Sequence, residues 1–306
     1  MSFALYQGDA GACARCFPQG CVRTCITSPP YWGLRDYGVD GQIGLEVTPE
    51  EFVAKLVAVF REVRQLLADD GTLWVVIGDC FTSNNRKYRD RDQMLGARGM
   101  NFRAPTPQGL KAKELVGIPW RLAFALQADG WFLRSDIIWH KLQPMPESVQ
   151  DRPTRAHEYV FMFAKSERYF YNHKAILEPF ADARMGRDGG KKSSERNRGG
   201  RDDGFTTPSG IDPSANGGKN KRSVWSLSAE LSKVPHYASY PTKLVEPMVL
   251  AGSAPGDLVL DPFCGTATTG VVALRHGRRF VGFDLSAEYL TYSWNRLTNL
   301  QQQEAA

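Results

Sequence analysis

Several features are missing from this sequence, and each absence removes a class of protein. No run of about 18 apolar residues occurs, so no membrane-spanning helix is expected. The opening residues, MSFALYQGDA, have no basic stretch followed by an apolar core, so no secretory leader is expected and a cytoplasmic setting is. Histidine is scarce, with five in 306 residues, and none lies among the four cysteines at 13, 16, 21 and 25. Four thiols within 13 residues and no histidine make a poor zinc pattern. Cys13 and Cys16 read as apolar positions of a short helix and Cys25 as part of a strand, so small buried hydrophobes are expected and no metal is. Charge of one sign is also in short supply, since the net charge is only +5. Its placement is uneven. Between Arg184 and Arg222 stand ten Lys/Arg against five Asp/Glu, a surplus equal to that of the whole chain. One segment therefore carries the signal for a polyanionic partner.

The chain is organised around Thr27-Ser28-Pro29-Pro30-Tyr31-Trp32. An apolar run from Val22 to Ile26 reads as a buried strand, and two prolines stop it. Neither proline can donate a backbone hydrogen bond, and each fixes its own φ. Ser28 is pushed away from the helical region because a proline follows it. The result is a stiff, extended loop end suited to a flat ring bearing an amino group. The Ser28 oxygen and the Pro29 carbonyl can accept from the NH2, and Tyr31 can stack on the ring, with Trp32 as a second stacking candidate. The same residues also fit a proline-terminated strand with core aromatics.

A second stretch, DLVLDPFCGTATTG from Asp257 to Gly270, narrows the choice. Leu258 to Leu260 reads as a buried strand with Asp261 at its carboxyl end. A glycine loop containing Phe263, Gly265 and Thr266 then opens a helix. Arg279 to Phe283 reads as a second strand ending at Asp284, 23 residues after Asp261. Strand, glycine loop, helix, strand and acidic end make a nucleotide-binding unit, with the acid placed for ribose hydroxyls. The loop has neither the three-glycine dinucleotide pattern nor the Lys-Ser/Thr of a phosphate loop. The expected ligand is an adenosine with a charged tail that is not a phosphate.

These two motifs resemble those of the amino-group DNA methyltransferases that use S-adenosylmethionine. TSPPYW is similar to their catalytic motif in its serine form, and DPFCGTATT to their cofactor loop, with Ala267 where the family usually has a second glycine. Catalytic motif first and cofactor loop last is the permuted order of the beta group. The resemblance implies an α/β fold, a mostly parallel doubly wound sheet with a small target-recognition insert. It divides the chain into a catalytic half at 1–175, a target-recognition insert at 176–235 and a cofactor half at 236–306. It implies duplex DNA as substrate, and a homodimer and a cognate restriction endonuclease as associates. The serine form implies cytosine N4 as the target, with adenine N6 as the alternative. Methylation of a protein glutamine or a small molecule, and DNA binding without catalysis, are readings from other classes. The resemblance also places Asp9 beside the adenine and Thr242 and Lys243 near the methionine carboxylate. In Tyr240-Pro241-Thr242-Lys243 the threonine and lysine are adjacent, without the family's intervening residue.

The rest of the chain supplies scaffold and DNA-facing segments. Phe3 to Tyr6 reads as a strand, and Asp9 serves equally well as a helix cap. Thr48 and Pro49 start a helix that runs to about Ala68 and ends at Asp69-Asp70-Gly71. Thr72 to Ile77 reads as a strand, 113 to 129 as a helix, and Trp131 to His140 and His157 to Ala164 as strands. His157-Glu158 is read as a structural strand end. Ser223 to Leu227 reads as a strand re-entering the fold, 244 to 253 as a helix, and Ala287 to about Leu300 as a helix packing Leu290, Trp294 and Leu297 on the sheet. The expected DNA contacts are Arg35 in the loop after the catalytic motif, Arg86, Lys87 and Arg89 in the long basic stretch 81–112, and Lys191, Lys192, Arg196, Arg198 and Arg201 in the polar insert.

Overall fold

The computed structural model describes residues 2–34, 38–82, 106–179, 217–228 and 240–305. The chain divides into two compact units, Met1–Tyr171 with Ser223–Ala306, and Asn172–Arg222. Among its described residues the smaller unit has a short 3-10 turn, His173–Ile176, and an antiparallel bridge between Glu178 and Lys219. There the Glu178 carboxylate accepts from Arg222 Nε at 2.9 Å.

The larger unit is built on one sheet. In chain order its described strands are β1 (Phe3–Gln7), β2 (Val22–Thr27), β3 (Leu67–Ile77), β4 (Phe132–Lys141), β5 (His157–Ala164), β6 (Val224–Leu227), β7 (Leu258–Asp261) and β8 (Arg279–Asp284). Their order across the sheet is β1-β8-β7-β2-β3-β5-β4-β6. β5 runs antiparallel to both of its neighbours, and the other pairings are parallel. The N-terminal strand pairs with β8 of the C-terminal half, Phe3 opposite Phe280. The catalytic strand β2 pairs with β7, Thr24 opposite Val259. The permuted chain thus closes on itself within one sheet. β6 lies beside β4, Trp139 opposite Trp225, and so belongs to the sheet rather than to the insert.

Helices α1 (Ala10–Arg15), α2 (Pro49–Leu66), α3 (Ile118–Ala128), α4 (Thr242–Gly252), α5 (Thr268–Arg275) and α6 (Ala287–Ala305) join the strands. Thr48 caps α2 by accepting from Glu51 N at 3.2 Å, with Pro49 in the first turn. One face of α2 buries Phe52, Leu56, Val59, Phe60 and Val63. Fully burying such a side chain contributes about 1.5–3 kcal/mol.

Four local expectations differ from the structure. β3 begins at Leu67 rather than Thr72, because Asp69-Asp70-Gly71 is a bulge within the strand and not a terminator. Val22 pairs with Leu67 and Thr24 with Thr72, so β3 carries the extra residues. A Cβ on Gly71 would meet Ala68 O at 2.9 Å, so the bulge requires glycine. α3 starts at Ile118 rather than 113, because Gly117 adopts a left-handed φ of 79° and Asp79 accepts from the N–H groups of Gly117 and Ile118. Trp294 is 48% exposed and packs edge-on against Phe3, while Leu297 and Ser293 are the buried residues of α6. Among the cysteines, Cys25 and Cys264 are buried but Cys16 is exposed, so the core reading fails for Cys16.

Candidate active site

β2 ends at Thr27, one residue before Ser28, and β7 ends at Asp261. The two strands are neighbours, and the Thr27 hydroxyl donates to Asp261 Oδ1 at 2.6 Å. Asp261 is 0% exposed. Its carboxylate also accepts from Tyr240 Oη and Thr269 Oγ1, both at 2.9 Å, and from Phe263 N at 3.2 Å. Burial pushes the Asp261 carboxyl up to about 6, opposed by the bonds from Thr27, Tyr240 and Thr269. In this position Asp261 ties the catalytic strand, α4 and α5 together beneath the loop. Its carboxylate does not reach the surface, so a direct ligand role is not what its burial favours.

The cofactor loop turns on two left-handed residues, Gly265 at φ 49° and Ala267 at φ 55°. Asp284 holds it from β8, accepting from Gly265 N and Ser286 N, each at 2.9 Å. Two bonds leave lone pairs on a carboxylate that has about four sites. Burial pushes the Asp284 carboxyl up, opposed by the bonds from these backbone groups. Thr266 is buried, and its carbonyl accepts from Arg296 Nη1 at 2.8 Å. Phe263 and Gly265 are partly exposed at the carboxyl end of β7. Thr242 opens α4, and Lys243 is exposed beside it. Asp9 caps α1 by accepting from Ala12 N at 2.8 Å. A partly free acid on the strand next to the loop suits ribose hydroxyls. The residues present therefore fit an adenosine-type methyl donor.

Ser28 and Pro30 are partly exposed and Pro29 is buried. The phenol of Tyr31 donates to Glu158 Oε2 at 2.6 Å. Lys141 pairs with the other oxygen of the same carboxylate. Burial first, and then the Glu158 charge, push the Tyr31 phenol well above its ordinary range. Trp32 is buried, and its indole donates to Glu46 O at 2.9 Å, so it is a scaffold residue and not a stacking surface.

Sequence reasoning missed Glu158, Lys141, Tyr240 and Thr269. The sequence signal for Glu158 is an acid heading an otherwise apolar strand. The signal for Tyr240 is an aromatic immediately before the Pro-Thr-Lys that starts a helix. The expected DNA contacts Arg35, Arg86, Lys87, Arg89, Lys191, Lys192, Arg196, Arg198 and Arg201 lie outside the described residues.

A mostly parallel sheet with a glycine loop after β7 and a Ser-Pro-Pro-Tyr loop after the adjacent β2 defines an α/β nucleotide-dependent transferase. Residues 22–295 match the N6_N4_Mtase family, described as DNA methylase. The chain belongs to this family and is a DNA methyltransferase of the amino-group, N6/N4 kind. It is 48% identical over 293 residues to the Type II methyltransferase M.Cfr9I of Citrobacter freundii, covering 96% of this chain and 87% of that one. In fold it is similar to the cytosine-N4-specific PvuII DNA methyltransferase, with a TM-score of 0.65, 20% identity, and coverage of 99% and 92% of the two chains. It is likewise similar to TTHA0409, a putative DNA modification methylase from Thermus thermophilus complexed with S-adenosyl-L-methionine, with a TM-score of 0.61, 24% identity, and coverage of 98% and 96%.

Proposed function

We propose that this methyltransferase acts at a specific sequence in duplex DNA on the exocyclic N4 amine of a cytosine turned out of the helix. The carrying observation is the bond from Thr27 to Asp261, which brings the Ser28-Pro29 acceptor pair and the cofactor loop to one end of adjacent strands. When bound, S-adenosylmethionine supplies an electrophilic methyl group, and the M.Cfr9I and TTHA0409 likenesses support that assignment.

The residues of this chain bind and orient. Asp284 would accept from the ribose hydroxyls of the methyl donor. The loop through Phe263, Gly265 and Thr266 would hold the nucleoside, Asp9 the adenine, and Thr242 and Lys243 the carboxylate tail. Asp261 acts beneath them as a positioning residue. An exocyclic amine is a poor nucleophile because its lone pair is delocalised into the ring. Ser28 Oγ and the Pro29 carbonyl accept its two hydrogens and favour a pyramidal nitrogen, Pro30 stiffens the loop, and Tyr31 offers a stacking face. Positioning of this kind accounts for much of the rate gain. The methylated, cationic amine then loses its proton to water. The base is out of reach inside a duplex, hence the flip. The basic residues at 35, 86, 87, 89, 191, 192, 196, 198 and 201 contact phosphates. A cytoplasmic setting, a homodimer and a matching restriction endonuclease complete the reading.

Cytosine is favoured over adenine because the serine form of the motif agrees with the cytosine-N4 specificity of the similarly folded PvuII enzyme. The test is incubation with tritiated S-adenosylmethionine and mixed-sequence duplex DNA, followed by digestion to nucleosides. Label in N4-methylcytosine is the expected result. Label in N6-methyladenine alone overturns the base assignment. Cofactor bound with no label in DNA overturns the substrate.

A further inference from the structure

Tyr31, Trp32, Gly33 and Leu34 form a tight turn directly after the catalytic strand. Leu34 N donates to Tyr31 O at 3.4 Å, and Gly33 has a left-handed φ of 63° at the third position, where such a turn requires it. The turn is pinned on its inner side. Trp32 is buried and its indole donates to Glu46 O at 2.9 Å, while Gly33 N donates to Gly44 O at 2.8 Å. Gly44 N donates in turn to Glu46 Oε2 at 2.8 Å, and Glu46 Oε1 pairs with Lys55 of α2 at 2.9 Å. A Cβ on Gly44 would stand 3.1 Å from Tyr31 O, so residues 44–46 lie directly against the catalytic loop. The outer side is open. A Cβ on Gly33 would meet no described atom within 4 Å, and Leu34 is 51% exposed. A lone exposed leucine is ordinary on a protein surface. This one is held by its backbone to Tyr31, whose hydroxyl reaches Glu158 on β5. The cofactor loop follows β7, on the other side of β2 from β5. Leu34 therefore extends the part of the catalytic loop that is anchored away from the cofactor side.

We propose that Leu34 is an apolar wedge, which enters the base stack of duplex DNA where the target base has left it and packs against the base that has lost its partner. This deepens the function proposed above and rests on its base flip. Turning a base out of the helix costs that base its pairing and stacking. Apolar side chains inserted between bases fill the gap and hold the distorted duplex. The task needs a side chain that is apolar, open to solvent before DNA binds, and fixed close to the residues that receive the extruded base. Leu34 meets all three conditions through its exposure and its pinned turn.

The test uses the full chain, the variants Leu34→Ala and Leu34→Met, and two duplexes carrying the site mapped by tritium labelling. In one duplex the target base is paired. In the other the opposite strand has an abasic position there, so the target has no pairing to lose and no orphaned base remains. Single-turnover transfer and cofactor affinity are measured on each protein. Leu34→Ala should slow transfer to the paired duplex about tenfold and to the abasic duplex less than about twofold, with cofactor affinity unchanged. Leu34→Met keeps the apolar volume and should stay within about threefold of wild type on both. Equal slowing on the two duplexes, or lost cofactor affinity, would make Leu34 a packing residue of the loop and overturn the proposal. Unchanged rates on both would overturn it as well. The comparison is the same for a cytosine or an adenine target, so a corrected base assignment leaves the wedge standing. Wild type that labels no duplex DNA would overturn the proposed function and the wedge together, whereas labelled DNA with equal slowing overturns the wedge alone.

Discussion

Thr27 at the end of β2 donates its hydroxyl to Asp261 at the end of β7, a 2.6 Å bond between residues 234 positions apart in the chain. It joins the last residue before the catalytic loop to the first residue of the cofactor loop. Replacing Thr27 by Val removes one donor from a fully buried carboxylate and leaves the shape almost unchanged. The expected cost is about 1–3 kcal/mol of unfolding free energy, measured by urea denaturation. Thr27→Ser keeps the hydroxyl and should recover most of it. Equal losses in the two variants would assign the effect to packing.

The same carboxylate makes stability depend on pH in an unusual direction. Burial raises Asp261 from 3.8 to about 6, so between those values the folded protein holds more protons at this site than the unfolded chain does. Its contribution is most favourable at the acid end and is lost as pH rises through about 6. The full swing is on the order of 3 kcal/mol. Asp261→Asn removes the titration. The stability gap between wild type and Asp261→Asn should therefore be wider at pH 5 than at pH 7.5, by about 1 kcal/mol. A gap that widens on going to pH 7.5 would reverse the sign assigned to Asp261.

Much of this fold was legible because its elements follow strong periodic patterns. β5 spans His157–Ala164 as its alternating apolar residues imply, and α2 buries the face that its spacing picks out. Pairing of β1 with β8 joins the N-terminal strand to the C-terminal half of the permuted chain. The bulge in β3 was hidden because Asp-Asp-Gly has the composition of a turn, and only the register against β2 shows that the strand continues through it. At the site, spacing located Asp261 and Asp284 at strand ends but could not say which way each carboxylate points. Asp261 turns inward to three side chains and a backbone N–H, and Asp284 holds the loop from the next strand. Glu158 was hidden for a related reason. A single acid at a strand end reads as merely structural until a distant tyrosine is seen to bond it.

Gly78 at the end of β3 provides a steric test of the Tyr31 arrangement. An added methyl would lie 2.7 Å from the Tyr31 ring, closer than atoms pack, and the ring is anchored at its far end by Glu158. Gly78→Ala should displace Tyr31, lower the methylation rate at least about tenfold and cost about 1–3 kcal/mol of stability as an overpacked site. Cofactor affinity should hold, since the loop after β7 lies on the other side of β2 from β3. Rate and thermal midpoint both at wild-type values would show that Tyr31 is not confined as described.

Ala267 stands where the family usually has glycine, and its backbone shows why glycine is usual. It adopts φ 55° and ψ 42°, left-handed, immediately before α5. That conformation costs an alanine roughly 1–2 kcal/mol. Two effects oppose the strain. The methyl is 0% exposed, and burying one such group contributes about 0.8 kcal/mol. Alanine also loses less chain entropy on folding than glycine, by roughly 0.5–1 kcal/mol. The opposing contributions nearly cancel, so Ala267→Gly should change stability by less than about 1 kcal/mol. Ala267→Val has no such balance, because a β-branched residue at positive φ is strained and the buried site leaves no room for two more carbons. It should cost at least about 2 kcal/mol and weaken cofactor binding by distorting the turn that Asp284 holds through Gly265 N. Urea denaturation and cofactor titration of the two variants check both halves, and an Ala267→Val protein as stable as wild type would mean that the turn relaxes to a negative φ.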